Sequence, residues 1–170
     1  MAVYTLDEYA TLLARTFAPY RPRVIKDVTD KGVEVMEFIL PHPQNPRFSV
    51  SLQASETRGF VETCALWFGQ AEISGRMDVD MVVSAIEEIV SDRVVAVLRY
   101  KNQDAFDNHR PSGKQWLYQL SDDEDDDTPR LEAMKQRLQS PPTFGEKISG
   151  QLVGVFEIFS WSEDMVISRR

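Results

Sequence analysis

The side chains with the most chemistry to offer are few and lie apart in the sequence. The chain has one cysteine and two histidines. Cys64 lies inside Phe60-Val61-Glu62-Thr63-Cys64-Ala65-Leu66-Trp67-Phe68. A nucleophilic thiolate needs a base within hydrogen-bond reach. His42 stands between Pro41 and Pro43, and His109 lies in Asp107-Asn108-His109-Arg110-Pro111, both remote from Cys64 in sequence. Cys64 therefore reads as a small buried hydrophobe, and both histidines read as solvated loop residues. Their spacing matches no metal-ligand pattern. A calcium-loop template begun at Asp123 finds Asp125 and Asp127 at its third and fifth positions. It then meets Thr128 where glycine is required and Met134 where glutamate is required, so it fails. Neither a phosphate-cradling glycine loop nor a G-x-S-x-G elbow occurs. Glu62, Glu72 and Glu157 could supply a carboxylate pair for acid–base work, but exposed strand positions account for them more simply. The chain reads as a non-enzyme, with no cofactor and no metal.

One charged feature stands out. Asp122, Asp123, Glu124, Asp125, Asp126 and Asp127 form an unbroken acidic run that carries −6 of a formal net charge of −8. The rest of the molecule is close to neutral, so the acidity is local. Like-charge runs usually solvate loops. This one precedes a helix start, where free N–H groups and the helix dipole favour carboxylates. Six crowded carboxylates repel one another, and a basic partner surface would relieve that cost. The run is the candidate partner-binding site. With no basic stripe to neutralise phosphates, nucleic acid is not an expected partner.

The elements that must position these residues centre on the stretch from Phe60 to Tyr100. Phe60–Phe68 is rich in β-branched and aromatic residues, which favours a strand. The period of two puts Phe60, Cys64, Leu66 and Phe68 on one face. Gly69 is expected to kink or bulge this strand before Gln70–Ser74 continues it. Met77-Asp78 opens a helix with an apolar stripe of Met81, Val82, Ala85, Ile86 and Ile89. Val94–Leu98 is a short β-branched run that reads as a strand covered on both faces. If the two strands share one sheet, the helix makes a right-handed crossover and they run parallel.

The flanking chain adds further elements. Thr5 and Glu8 form a capping box ahead of the stripe Leu6, Tyr9, Leu13 and Phe17, with Tyr4 placed to staple onto Tyr9. Val24–Val28 and Val33–Leu40 read as a hairpin around Thr29-Asp30-Lys31-Gly32. Residues 41–46 read as an exposed proline-rich loop. Phe48, Val50, Leu52 and Ala54 alternate with polar residues as a half-buried strand. Lys101–Gly113 reads as a long polar loop, and Gln115–Leu120 as a short strand. Thr128 caps a helix with the narrow stripe Leu131, Met134 and Leu138. Gln151–Trp161 is the last strong strand, with Val166 and Ile167 as a candidate edge. These elements predict an α+β fold: a mixed, mostly antiparallel sheet with about three helices in a single domain over residues 1–170, and an acidic loop at about 121–128. A lone cysteine, the absence of a signal-like start and no apolar run of membrane-spanning length lead to the expectation of a soluble, cytoplasmic protein with no membrane partner.

Ala65-Leu66-Trp67-Phe68-Gly69-Gln70, the acidic-faced helix after it and the strand Val94-Val95-Ala96-Val97-Leu98-Arg99-Tyr100 resemble small bacterial immunity proteins. Those are single-domain cytosolic α+β proteins that neutralise a cognate secreted toxin. Ala71 and Ile73 stand where such proteins often carry histidines, so no role resting on those histidines carries over. The resemblance implies binding rather than catalysis: an immunity-type inhibitor acting on a toxin domain, a basic one being suited to the acidic run. The alternative is an adaptor or small-ligand domain that uses loop 101–113.

Overall fold

The first helix shows how closely local sequence dictates this structure. The computed structural model describes residues 3–112, 116–119, 136, 138–140, 154–162 and 164–169. In it, α1 (Leu6–Thr16) begins at the expected capping box. The Thr5 hydroxyl accepts from the Glu8 N–H, and the Glu8 carboxylate accepts from the Thr5 N–H at 2.9 Å. The Tyr4 and Tyr9 rings approach to 5.6 Å between centroids, which completes the staple. A second carboxylate, Glu56, accepts from the Leu6 N–H at 2.8 Å across 50 residues of sequence. The start of the helix is thus pinned to the sheet beneath it. Leu6, Tyr9, Leu13 and Phe17 are all buried.

Contacts divide the chain into two compact units, 1–88 and 89–170. The first holds a five-stranded sheet of β1 (Arg23–Val28), β2 (Glu34–Leu40), β3 (Val50–Thr57), β4 (Phe60–Phe68) and β5 (Ala71–Asp78), paired in that order. The β1–β2 hairpin turns where expected, with Gly32 at φ +75° and the Thr29 N–H bonded to the Val33 carbonyl at 2.9 Å. Met36, Phe38 and Leu40 of β2 and Val50, Leu52 and Ala54 of β3 are buried on the face where α1 packs. Residues between them along each strand are only partly covered or exposed.

Two expectations about this unit are revised. Gly69 does not continue the strand: at φ +58° it turns the chain back, so that β5 pairs antiparallel with β4. A strict period of two also fails along β4. The register with β3 shifts between Ala54 and Glu56, and Val61, not Phe60, is buried with Cys64, Leu66 and Phe68. A bulge inserts one residue and exchanges the faces on either side of it.

Helix α2 (Val79–Val90) follows β5 and runs from the first unit into the second after Glu88. Val79, Val82, Ile86 and Ile89 are its buried residues. Met81, assigned to the apolar stripe from sequence, is 61% exposed.

The second unit holds β6 (Val94–Tyr100), α3 (Gln103–Asp107), β7 (Trp116–Gln119), β8 (Gly154–Phe159) and β9 (Asp164–Arg169), its sheet ordered β7-β6-β8-β9. Every strand pairing among the described residues is antiparallel, and the fold is α+β. Strands β4 and β6 belong to different sheets, so the conditional parallel crossover does not form. Residues Val94–Leu98 of β6 and all of β8 are buried on both faces, as their unbroken apolar runs require. Val95, Val97, Phe156 and Ile158 form one cluster with Leu138. Gly154 allows the start of β8 to press against β6: at φ +129°, an added Cβ would lie 2.3 Å from the Tyr100 carbonyl oxygen. The segment expected to be a featureless loop, 101–113, contains α3. Asn102 caps it by accepting from the Ala105 N–H at 2.9 Å.

Candidate functional site

The inner face of the five-stranded sheet is filled by its own core. The outer face is not, and cross-strand register states what it carries. Arg23, Ile39, Ser51, Trp67 and Glu72 form one row across all five strands. Ile25, Glu37, Gln53 and Ala65 form the next, and Asp27, Val35 and Ser55 a third. These residues alternate with the buried ones, so the pleat aims them away from the core. Ile25 remains 50% exposed.

A cavity of about 510 Å³ opens on this face, with Val35, Ala65 and Ile25 as apolar lining. Gln53, Ser55 and Thr63 offer hydrogen-bonding groups, and Asp27 and Glu37 supply negative charge. Among the described residues, no basic side chain lines it. Such a surface can bury an apolar side chain and hold a cation beside it.

Cys64 lies beneath this face, 2% exposed. Burial pushes its thiol up to about 11, and the neighbouring Tyr9 hydroxyl lowers it only in part. The thiol is therefore protonated at neutral pH and serves as core, as its setting in the sequence implied. Tyr9 is shifted upward too, first by burial and then by Cys64, and its hydroxyl donates to the Val79 carbonyl at 3.2 Å.

Both histidines lie in the loops expected, but His42 is not solvated. It is 8% exposed, and its Nδ1 accepts from the backbone N–H groups of Gln44 at 3.1 Å and Asn45 at 2.9 Å. Those bonds fold the proline-rich loop around the ring, which also meets Phe48 edge-on. The sequence offered no periodicity there from which burial could be read. His109 is exposed, at φ +53° beyond the end of α3. The three glutamates separate. Glu62 and Glu72 are exposed strand residues in the first unit. Glu157 is 3% exposed in the second, where its Oε2 accepts from the Tyr100 hydroxyl at 2.7 Å. Expecting Glu157 at an exposed position overlooked that β8 is an interior strand, buried on both faces.

Among the described residues no group of three or more His, Cys, Asp or Glu side chains is placed to hold a metal ion. No helix among them is long and apolar enough to cross a membrane. The run Asp122, Asp123, Glu124, Asp125, Asp126 and Asp127 lies outside the described residues. Within 101–113, α3 packs on β6 and β8, and Phe106 meets Tyr100 edge-on at 5.1 Å. That stretch thus packs against the sheet, though none of the α3 residues is fully buried. Comparison of this chain with protein-family models, with curated proteins and with solved structures found no match in any of the three.

Proposed function

We propose that this chain is a non-catalytic protein-binding domain, an immunity-type inhibitor that neutralises a cognate bacterial toxin by direct binding. The observation that carries the reading is the cavity on the outer face of the five-stranded sheet. It has apolar lining at Ile25, Val35 and Ala65, an acidic margin at Asp27 and Glu37, and a frame of paired strands. Its charge suits a basic partner, as does the acidic run Asp122–Asp127 in the sequence. In this reading the run accelerates encounter by long-range attraction, and the sheet face makes the close contacts. A stoichiometric inhibitor requires such a docking surface and no turnover of its own.

The test has two stages. Tagged wild type and a Glu37→Arg/Gln53→Arg variant are used side by side to capture partners, and a protein kept by the first and lost by the second is purified. Its activity is then titrated with wild type. Complete inhibition at one equivalent, without chemical change in the partner, supports the reading. A partner that binds both forms equally removes the sheet face from the proposal. A partner whose activity is untouched at saturation removes inhibition.

A further inference from the structure

Among the described residues no strand pairs with the outer edge of β1, and its residues are self-complementary in one register. Strand β1 stands at the end of the sheet order and pairs only with β2 among the described residues. Arg23, Ile25, Lys26, Asp27 and Val28 are all exposed, Ile25 at 50% and Val28 at 57%. An exposed edge strand presents a row of unused N–H and C=O groups to any strand laid beside it.

The direction of those groups follows from the hairpin. The Thr29 N–H bonds the Val33 carbonyl, and the same register continues through Asp27↔Val35, Ile25↔Glu37 and Arg23↔Ile39. In an antiparallel ladder, hydrogen-bonded and non-hydrogen-bonded pairs alternate. The odd-numbered residues of β1 therefore direct their backbone groups to β2, and those of Val24 and Lys26 point to the open edge.

Side chains sort the other way. Arg23, Ile25 and Asp27 stand on the outer face of the sheet. Lys26 is on the opposite face, where its ammonium pairs with Asp7 of α1. Among the described residues neither Arg23 nor Asp27 has an ion-pair partner. The Asp27 carboxylate accepts one hydrogen bond through Oδ1, from the Val28 N–H at 2.7 Å, which leaves Oδ2 available.

We infer that β1 is a homodimerisation edge, pairing antiparallel with β1 of a second copy about a two-fold axis at Ile25. In that register Val24 and Lys26 exchange backbone hydrogen bonds with Lys26 and Val24 of the other copy, on both sides of the axis by symmetry. Ile25 then faces Ile25, and Arg23 faces Asp27 on either side of it. These fall at non-hydrogen-bonded pairs, where opposed side chains approach most closely. Pro22 faces Val28 at the ends, where proline has no N–H to give the Val28 carbonyl, so the ladder's hydrogen bonding is bounded there. Neighbouring registers are worse. An axis at Lys26 opposes two ammonium groups, and an axis at Val24 sets Arg23 against Ile25. A shift by a single residue without re-centring would place the outer face of one copy against the inner face of the other. The contact is isologous, as two-fold symmetry requires, and it closes with no edge of β1 left over. The inference does not depend on the toxin-binding reading. Its partner is a second copy of this chain, and both outer faces come to lie on the same side of one continuous sheet.

Symmetry also supplies a decisive experiment. Arg23→Asp alone turns both cross-strand pairs into Asp–Asp, and Asp27→Arg alone turns both into Arg–Arg. Each single variant is expected to self-associate roughly 30-fold more weakly than wild type, because two attractive pairs become two repulsive ones. In an equimolar mixture, the aspartate introduced in one variant meets the arginine introduced in the other. At the same interface the Arg23 retained by the second variant meets the Asp27 retained by the first. The mixture should regain the wild-type association. Sedimentation velocity of the full chain, wild type and variants, across a concentration series up to about 100 µM reads this out, with circular dichroism confirming that each variant is folded. A dimeric wild type, weakened single variants and a restored mixture establish the edge. A wild type that stays monomeric throughout, single variants that dimerise as well as wild type, or a mixture that fails to recover would each overturn it.

Discussion

Tyr100→Phe isolates one buried interaction of the second unit. The hydroxyl of Tyr100 donates to Glu157 Oε2 at 2.7 Å, with Tyr100 at 0% and Glu157 at 3% exposure. Phenylalanine keeps the ring and its edge-on contact with Phe106, so ring packing is conserved while the hydroxyl's hydrogen bond to Glu157 is removed. Bonds to carboxylates contribute about 1.5–3 kcal/mol, and an acceptor left short of partners in the interior costs a similar amount. The loss should be about 2 kcal/mol. With a urea m-value of roughly 2 kcal/mol per molar, the midpoint falls by about 1 M. Trp161, 6% exposed in the same unit, reports the transition by fluorescence. A double-mutant cycle with Glu157→Gln separates the pair from its surroundings, and a coupling of about 1 kcal/mol or more is expected. If Tyr100→Phe leaves the midpoint within about 0.2 M of wild type, the buried hydrogen bond is not a determinant of stability and the reasoning fails.

Other substitutions probe separate parts of the structure. Gly154→Ala forces a Cβ to within 2.3 Å of the Tyr100 carbonyl at φ +129°. A loss of at least ~2 kcal/mol in chemical denaturation is expected. His42→Ala orphans the Gln44 and Asn45 N–H groups and should cost about 1–3 kcal/mol, measured as a lowered Tm. Val95→Asp or Val97→Asp puts a carboxylate at a site 2% or 1% exposed. Either should remove roughly 3–5 kcal/mol, and a wild-type Tm would show that β6 is not central. The Cys64 thiol is held at about 11 in the folded chain, against 9.0 for an ordinary thiol. Its contribution is therefore complete below about pH 9 and is lost as pH rises toward 11, up to roughly 2–3 kcal/mol. Cys64→Ala should flatten the fall in stability over that window, and an unchanged slope would refute the assignment.

Much of the fold was legible because it rests on signals only a few residues long. The capping box at Thr5 and Glu8, the turn at Gly32 and the alternation of Val50, Leu52 and Ala54 each carry their own geometry. The unbroken apolar runs of β6 and β8 likewise announced strands covered on both faces. What escaped depended on pairing across distance. The bulge in β4 is set by its register with β3, so a count along Phe60–Phe68 alone assigns Phe60 and Val61 to the wrong faces. Gly69 is compatible with a bulge or a turn, and only the partnership of β4 with β5 decides which. Glu157 looks exposed until β8 is known to lie between β6 and β9. His42 is buried by hydrogen bonds to its own loop, which no periodicity encodes.

The candidate surface was legible only in fragments, for a related reason. No single strand contains the cavity on the outer sheet face. Asp27 and Ile25 come from β1, Val35 and Glu37 from β2, Gln53 and Ser55 from β3, and Thr63 and Ala65 from β4. In sequence each is one more residue at the solvent phase of an alternating strand, and only the register gathers them. Strand β1 illustrates the sorting most clearly. Its period of two sends Lys26 inward to Asp7 and leaves Arg23 and Asp27 outward, four residues apart on either side of Ile25. The inward charge is satisfied within the chain, whereas the outward pair is spaced to meet its own reversed copy. A single alternation thus ties the strand to α1 on one face and prepares it for a partner on the other.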